Sequence, residues 1–324
     1  MYKIVIIGAG QLGSRHLQGV LSSNLHTSIE VVDPSRAALE NAQKRADEIQ
    51  YEKSFKSITF YTDLKDVSKH IDLCIVASTS NVRFNIIQTL ISVSAIRYLI
   101  LEKILFQELD KYDLAEKLFA KKGIQTWVNC PRRMVPEYKA LQSRINKTEP
   151  VSFVLLGSNW GLGCNAIHFI DLFAFFTGNN LLQFNTEKIN KIIPAKREGF
   201  YELVGTLTGR QGKNSEILLQ SKESKHHFIG ISILTDTFYC TVNETQGLMT
   251  ITDLSSQNSE DIKFSIPFQS QLTRNLCEEL LIYGQCDLTD FSTSSLLHKR
   301  IISSYLDVFE NNGFNNLNGS CPIT

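Results

Sequence analysis

Apolar residues in the first third of this chain fall in short, unbroken runs separated by polar stretches with helical spacing. Ile4 to Ile7, Ile29 to Val32, Ile58 to Tyr61, Asp72 to Ala77 and Arg97 to Leu101 read as strands. Their length and β-branched content suit strands covered on both faces. Between them, Ser35 to Gln50 places Ala38, Leu39, Ala42 and Ala46 on one helical face. Val82 to Val93 and Leu109 to Lys121 are further helices, the latter closed by Gly123, and Ile124 to Val128 is another strand. Strand and helix in alternation predict a doubly wound parallel sheet.

From Asn129 the rhythm changes. Glu137 to Ile145 reads as a helix, Val151 to Gly157 as a strand, and Asn165 to Phe176 as an apolar helix closed by Gly178. Between Leu181 and Phe264 come five strand-like segments: Tyr201 to Leu207, Glu216 to Gln220, His227 to Leu234, Thr237 to Val242 and Leu248 to Ile251. Helices near Gln269 to Tyr283 and Ser292 to Phe309 follow. The expected architecture is α/β: a Rossmann domain over residues 1–128, then over 129–324 an α+β domain with a large, mostly antiparallel open sheet.

The first strand runs straight into Gly8-Ala-Gly10-Gln11-Leu12-Gly13. At this G-x-G-x-x-G spacing the glycines allow a tight turn, close approach of a pyrophosphate and close packing of the next helix. The N–H groups of that helix then face the phosphates. Asp33 ends the second run, 20 residues beyond Gly13. An acid there accepts hydrogen bonds from an adenosine ribose and repels a 2′-phosphate, which favours NAD; Ser35 and Arg36 just downstream keep NADP as the other candidate. Ser78, Thr79 and Asn81 follow a strand at the carboxyl edge of the sheet, where ligands bind.

Two segments carry candidate chemistry. Glu102-Lys103 follows a strand at that same edge, where an ammonium can hydrogen-bond a ribose hydroxyl and the oxygen of a substrate undergoing hydride transfer, with Glu102 orienting or partly neutralising it. In Trp160-Gly-Leu-Gly-Cys-Asn165-Ala-Ile-His168-Phe-Ile-Asp171, the residues Asn165, His168 and Asp171 are three apart and form a polar stripe on an apolar helix. Such a stripe needs partners or a cavity. A neutral imidazole there can exchange a proton with a substrate alcohol. Arg132 and Arg133 are candidates for anionic groups. His226 and His227 fall in a strand and point to opposite faces, a poor metal chelate.

The totals narrow the classes. Among 324 residues, Lys plus Arg and Asp plus Glu both number 33, so the formal charge is zero and nothing suggests capture of nucleic acid or an anionic membrane. Seven cysteines without C-x-x-C spacing argue against a disulfide framework and a structural zinc. A soluble, unprocessed cytoplasmic chain is expected. No H-E-x-x-H or G-x-S-x-G element is present.

In order and content, Gly8 to His16, Ala77-Ser-Thr-Ser-Asn81, Glu102-Lys103 and His168-Phe-Ile-Asp171 resemble the Gfo/Idh/MocA family of glucose-fructose oxidoreductases and inositol dehydrogenases. The resemblance implies NAD(P)-dependent oxidation or reduction of a sugar, cyclitol or sugar nucleotide, including sugars made for surface glycans. It also implies a second-domain sheet that forms a homodimer or homotetramer interface. The catalytic lysine of the family's Glu-Lys-Pro motif falls on Lys103, its active-site histidine on His168, and its Arg-Arg-Phe-x-Pro stretch on Arg132 to Pro136. Two positions depart: Ile104 replaces the proline, and Cys164 stands where many members have an Asp four residues before the histidine, with Asn165 one position later. Turnover-free dinucleotide sensing, and a hydrolase or lyase that oxidises its substrate transiently, need the same pocket.

Overall fold

The computed structural model describes residues 1–51, 56–146, 148–212, 214–263, 265–314 and 316–324. In chain order the elements are β1 (Tyr2–Ile7), α1 (Gln11–Ser22), β2 (Thr27–Val32), α2 (Arg36–Asp47), β3 (Lys56–Tyr61), β4 (His70–Val76), α3 (Ser80–Val93), β5 (Ala95–Leu101), α4 (Asp110–Lys122) and β6 (Gln125–Val128). Next come α5 (Pro136–Arg144), β7 (Ser152–Ser158), α6 (Leu162–Thr177), β8 (Gln183–Pro194), β9 (Tyr201–Gln211), β10 (Ser215–Lys222) and β11 (Phe228–Leu234). The chain closes with β12 (Phe238–Asn243), β13 (Leu248–Asp253), β14 (Ser259–Lys263), α7 (Gln269–Tyr283), β15 (Thr289–Asp290) and α8 (Phe291–Asn311).

These elements form two compact units. One comprises Met1–Phe106, Asp110–Asn129 and Pro267–Ser292; the other comprises Gln107–Leu109, Cys130–Ile266 and Thr293–Thr324. The first holds a seven-stranded sheet in the order β15-β6-β5-β4-β1-β2-β3. All its pairings are parallel except β15 with β6. The order of strand addition reverses at β1, with β2 and β3 on one side and β4 to β6 on the other, so the turns after β1 and β4 form the switch point where such sheets bind ligands. Ile4, Val5, Ile6, Leu73, Cys74, Ile75, Leu99 and Ile100 are fully buried, as continuous apolar runs require.

A single cut at residue 128 does not separate these units, because α7 packs in the first one against α1. Gly19 permits this: a Cβ there would stand 2.5 Å from the Ser270 carbonyl oxygen and 2.6 Å from Thr273 Cβ. The contact depends on two segments some 250 residues apart and leaves no mark on local periodicity.

The second unit holds an eight-stranded sheet, β14-β13-β12-β11-β7-β10-β9-β8. Its pairings are antiparallel apart from β10 with β7. Helix α6 lies against β9 and β10, burying Phe169, Ile170 and Phe173 completely. Strands β8 and β14 have no counterpart in the sequence reading. Both are polar edge strands: β8 buries only Ile189 and shifts register twice against β9, so neither shows the alternation that betrays a half-buried strand. The His226–His227 pair is corrected: it precedes β11, which starts at Phe228. Phe264, the expected end of the strand region, lies outside the described residues.

Candidate functional site

In the first unit the turn after β1 is built tightly. Gly8 has φ +93°, and a Cβ on Gly13 would stand 1.7 Å from the Gly8 carbonyl oxygen, so α1 begins pressed against the turn. Around Gly10, by contrast, a Cβ would meet nothing within 4 Å. That open face adjoins the start of α1, whose first turn has no side-chain cap. Backbone N–H groups at an uncapped helix start, beside room for a ligand, fit a pyrophosphate. Gln11 is exposed and Leu12 half-buried there.

Asp33 closes the back of this turn. Its Oδ2 accepts the Ala9 N–H at 2.8 Å and its Oδ1 accepts the Ser35 N–H at 2.8 Å. Each carboxylate oxygen keeps a lone pair for a ribose hydroxyl. Ser35 Oγ caps α2 by accepting the Ala38 N–H, and Arg36 is exposed at the helix start. At the end of β4, Thr79 Oγ1 donates to Asn81 Oδ1 at 2.7 Å, and the Ser78 carbonyl accepts from Arg83. The residues present fit the adenosine and pyrophosphate portions of a dinucleotide.

Lys103 is half-buried at the carboxyl edge of this sheet, and the Lys103–Ile104 peptide is cis. Glu102 turns inward, 2 % exposed. His16 Nε2 lies 2.8 Å from Glu102 Oε1, and His16 Nδ1 lies 2.8 Å from Thr273 Oγ1. The Asn129 amide donates both to Glu102 Oε1 and to Gln269 Oε1, and Gln269 Nε2 donates to Thr273 Oγ1 at 3.1 Å. Five side chains thus close a ring. Burial pushes the Glu102 carboxyl up, but the His16 hydrogen bond and charge, the Asn129 amide and the Lys103 charge together hold it below the usual carboxylate value. Glu102 is therefore an ionised buried acceptor, which requires Nε2 of His16 to donate.

In the second unit the sequence-predicted polar stripe on α6 divides. Asn165 and His168 are half-buried, together with Cys164, whereas Asp171 is fully buried. Arg133 Nε lies 3.2 Å from Asp171 Oδ2, and its guanidinium stacks over Phe175 at 4.8 Å. Arg132 binds Glu244 with both ends of its fork, at 3.1 and 3.0 Å, and stacks over Phe169 at 4.1 Å. Both arginines thus brace α6. Trp160 is 3 % exposed, its Nε1–H donating to the Gln220 carbonyl at 2.8 Å.

One residue of this unit escaped the sequence reading. Glu202, on β9, accepts the N–H groups of Gly163 at 2.8 Å and Cys164 at 3.3 Å, a carboxylate at the positive end of α6. Cys164 Sγ, Asn165 Nδ2 and Glu202 Oε1 all come within 3.1 Å of a Cβ placed on Gly161. No spacing rule links Glu202 to a helix start 39 residues earlier. The Asn165 amide donates to the Trp160 carbonyl at 2.7 Å, so the half-buried face of α6 presents Cys164, Asn165 and His168 from a fixed first turn.

Residues 2–130 match the model of the Gfo/Idh/MocA group, described as an oxidoreductase family with an NAD-binding Rossmann fold. Over this segment the chain is similar to the Gfo/Idh/MocA family. Solved structures with the same overall fold include scyllo-inositol dehydrogenase from Lactobacillus casei with bound NAD(H) and scyllo-inositol, at TM-score 0.66 and 16 % identity over 96 % of this chain and 98 % of that one. UDP-N-acetylglucosamine 3-dehydrogenase from Acidithiobacillus ferrooxidans matches at TM-score 0.67 and 13 % identity, covering 95 % of this chain and 96 % of that one. A super-repressor mutant of Gal80p from Saccharomyces cerevisiae matches at TM-score 0.71 and 14 % identity, covering 96 % of both chains. No curated protein matches. At such identities the likeness is one of fold. The Gfo/Idh/MocA family binds NAD, in keeping with the turn described above. Among the described residues no helix is long and apolar enough to cross a membrane, and no group of three or more His, Cys, Asp or Glu could hold a metal ion.

Proposed function

We propose that this protein is an NAD(P)-dependent oxidoreductase that moves a hydride between nicotinamide and the hydroxyl or keto carbon of a sugar or sugar nucleotide, in the making of a surface-glycan sugar. One observation supports this most directly: the sheet whose first turn suits a pyrophosphate also carries a half-buried lysine at its carboxyl edge. Gly8 to Gly13 would hold the pyrophosphate and Asp33 the adenosine ribose, with Ser78, Thr79 and Asn81 lining the neighbouring turn. When bound, the nicotinamide supplies a hydride acceptor or donor. Lys103 polarises the reacting oxygen, and His168 takes or returns its proton as general base or acid. Asn165 is a further substrate contact. Arg132, Arg133, Trp160 and Asp171 act behind it, since their polar groups are engaged within the second unit.

The test is a screen of sugar nucleotides and cyclitols against NAD and NADP, following the absorbance of the reduced cofactor. Lys103→Ala and His168→Ala should each lower kcat by roughly 100-fold or more, in the range of general acid–base loss. Variants as fast as the parent would overturn the assignment. The likeness in fold to Gal80p supports a second reading, a dinucleotide-sensing protein; bound NAD with no turnover of any sugar would favour it.

We further propose a homodimer or homotetramer formed through the outer face of the eight-stranded sheet. Leu156, Phe228, Leu234 and Tyr239 are 38 to 49 % exposed there, and Leu234 faces Tyr239 across β11 and β12. Contiguous exposed apolar side chains on an open sheet mark an interaction surface.

A further inference from the structure

We propose that His16 and Arg83 are positioning residues that fix the main chain on either side of Lys103. This rests on the reading that Lys103 serves the reaction. On the amino side, Glu102 is locked by His16 and Asn129 inside the five-membered ring. On the carboxyl side, the Arg83 guanidinium, on a residue 1 % exposed, donates to the carbonyls of Ile104 and Leu105, the latter at 2.9 Å. The same guanidinium donates to the Ser78 carbonyl, so a single side chain on α3 ties the turn after β4 to the turn after β5.

Neither device suits mere packing. Burying a cation or an ionised carboxylate costs several kcal/mol before its partners compensate, and an apolar core of equal volume is commonly as stable or more so. Such groups do, however, satisfy backbone carbonyls and hold one arrangement, and these two grip the chain within two residues of Lys103. His16 also stands three residues beyond Gly13, so the helix that starts at the dinucleotide turn is the one that secures Glu102. The long stem of a lysine is flexible, and anchoring its backbone limits the positions open to the ammonium.

The experiment labels lysines by reductive methylation with 13C-formaldehyde, which keeps their charge, and records carbon–proton correlation spectra. The Lys103 resonance is identified by its loss in Lys103→Arg. In His16→Leu and Arg83→Met the resonance should shift toward the envelope of exposed lysines and sharpen. In Arg133→Met, a destabilised variant of the other unit, it should stay in place. Should the first two variants fail to fold, His16→Gln and Arg83→Lys give the same readout, the latter keeping the charge and losing the fork. On the substrate found by the screen, kcat should fall roughly 10- to 100-fold while KM changes little, as misplacement of a reacting group predicts. A Lys103 resonance unmoved in folded His16 and Arg83 variants overturns the proposal. A resonance that shifts in a protein whose Lys103→Ala variant keeps full turnover leaves the positioning intact and removes the catalytic role of Lys103.

Discussion

Asp33 holds two backbone N–H groups and is the proposed partner of the adenosine ribose, so its replacement tests both cofactor choice and the turn. Asp33→Ser should shift the NAD-to-NADP affinity ratio toward NADP by about tenfold or more, the worth of one charge-assisted hydrogen bond and a removed repulsion. Titration of both cofactors checks this, and an unchanged ratio would place Asp33 away from the ribose. The buried ion pair of the second unit gives a stability prediction. Arg133→Ala removes the guanidinium that lies 3.2 Å from the fully buried Asp171 carboxylate and should cost about 3–5 kcal/mol in denaturant unfolding, whereas changing both to apolar residues should cost much less. Glu102 gives a prediction in pH. Its carboxyl is held below the ordinary value in the folded protein, so its contribution is fully present above the unfolded value and is lost as the pH falls through the folded one. The gap in Tm between wild type and Glu102→Gln should therefore be widest near neutrality and narrow in acid.

Among the elements, α1 and α6 carry the most consequence, and they were legible to different degrees. The run of buried aliphatics in β1 and the glycines after it leave few alternatives to a strand, a turn and a helix, and the observed strand ends at the expected Ile7 and begins two residues before Ile4. The start of α6 was harder to see. Leu162–Thr177 begins three residues before the expected Asn165, because Gly161 takes φ +78° and Glu202 reaches across from β9 to cap the first turn. Glu202→Ala should cost about 1 kcal/mol, typical of a lost helix cap, and Glu202→Gln less. If the capped turn positions Asn165 and His168, both changes also lower turnover. Edge strands β8 and β14 were invisible for a related reason: a strand that buries almost nothing has no reason to alternate.

For the molecule as a whole, ligand linkage offers a test that needs no substrate. NAD at about 100 times its Kd should raise the unfolding free energy by about 2.7 kcal/mol, and Asp33→Ser should reduce that gain at the same concentration. The sheet of the second unit makes a separate prediction: Leu156→Lys with Leu234→Lys should shift the protein to a smaller species on size exclusion if the exposed face is an interface, and leave its elution unchanged otherwise.

Sequence alone determined the parallel sheet of the first unit, the dinucleotide turn, and the candidates Asp33, Lys103 and His168, because continuous apolar runs, glycine spacing and residues at strand ends are local signals. Only the tertiary structure decided that α7 packs with the first unit, that Asp171 is spent on Arg133, that Arg132 is spent on Glu244, and that His16, Glu102, Asn129, Gln269 and Thr273 close into one ring. Each of those joins residues far apart in the chain. A buried polar group must find its hydrogen-bonding partner wherever the fold places one, and no period in the sequence records that choice.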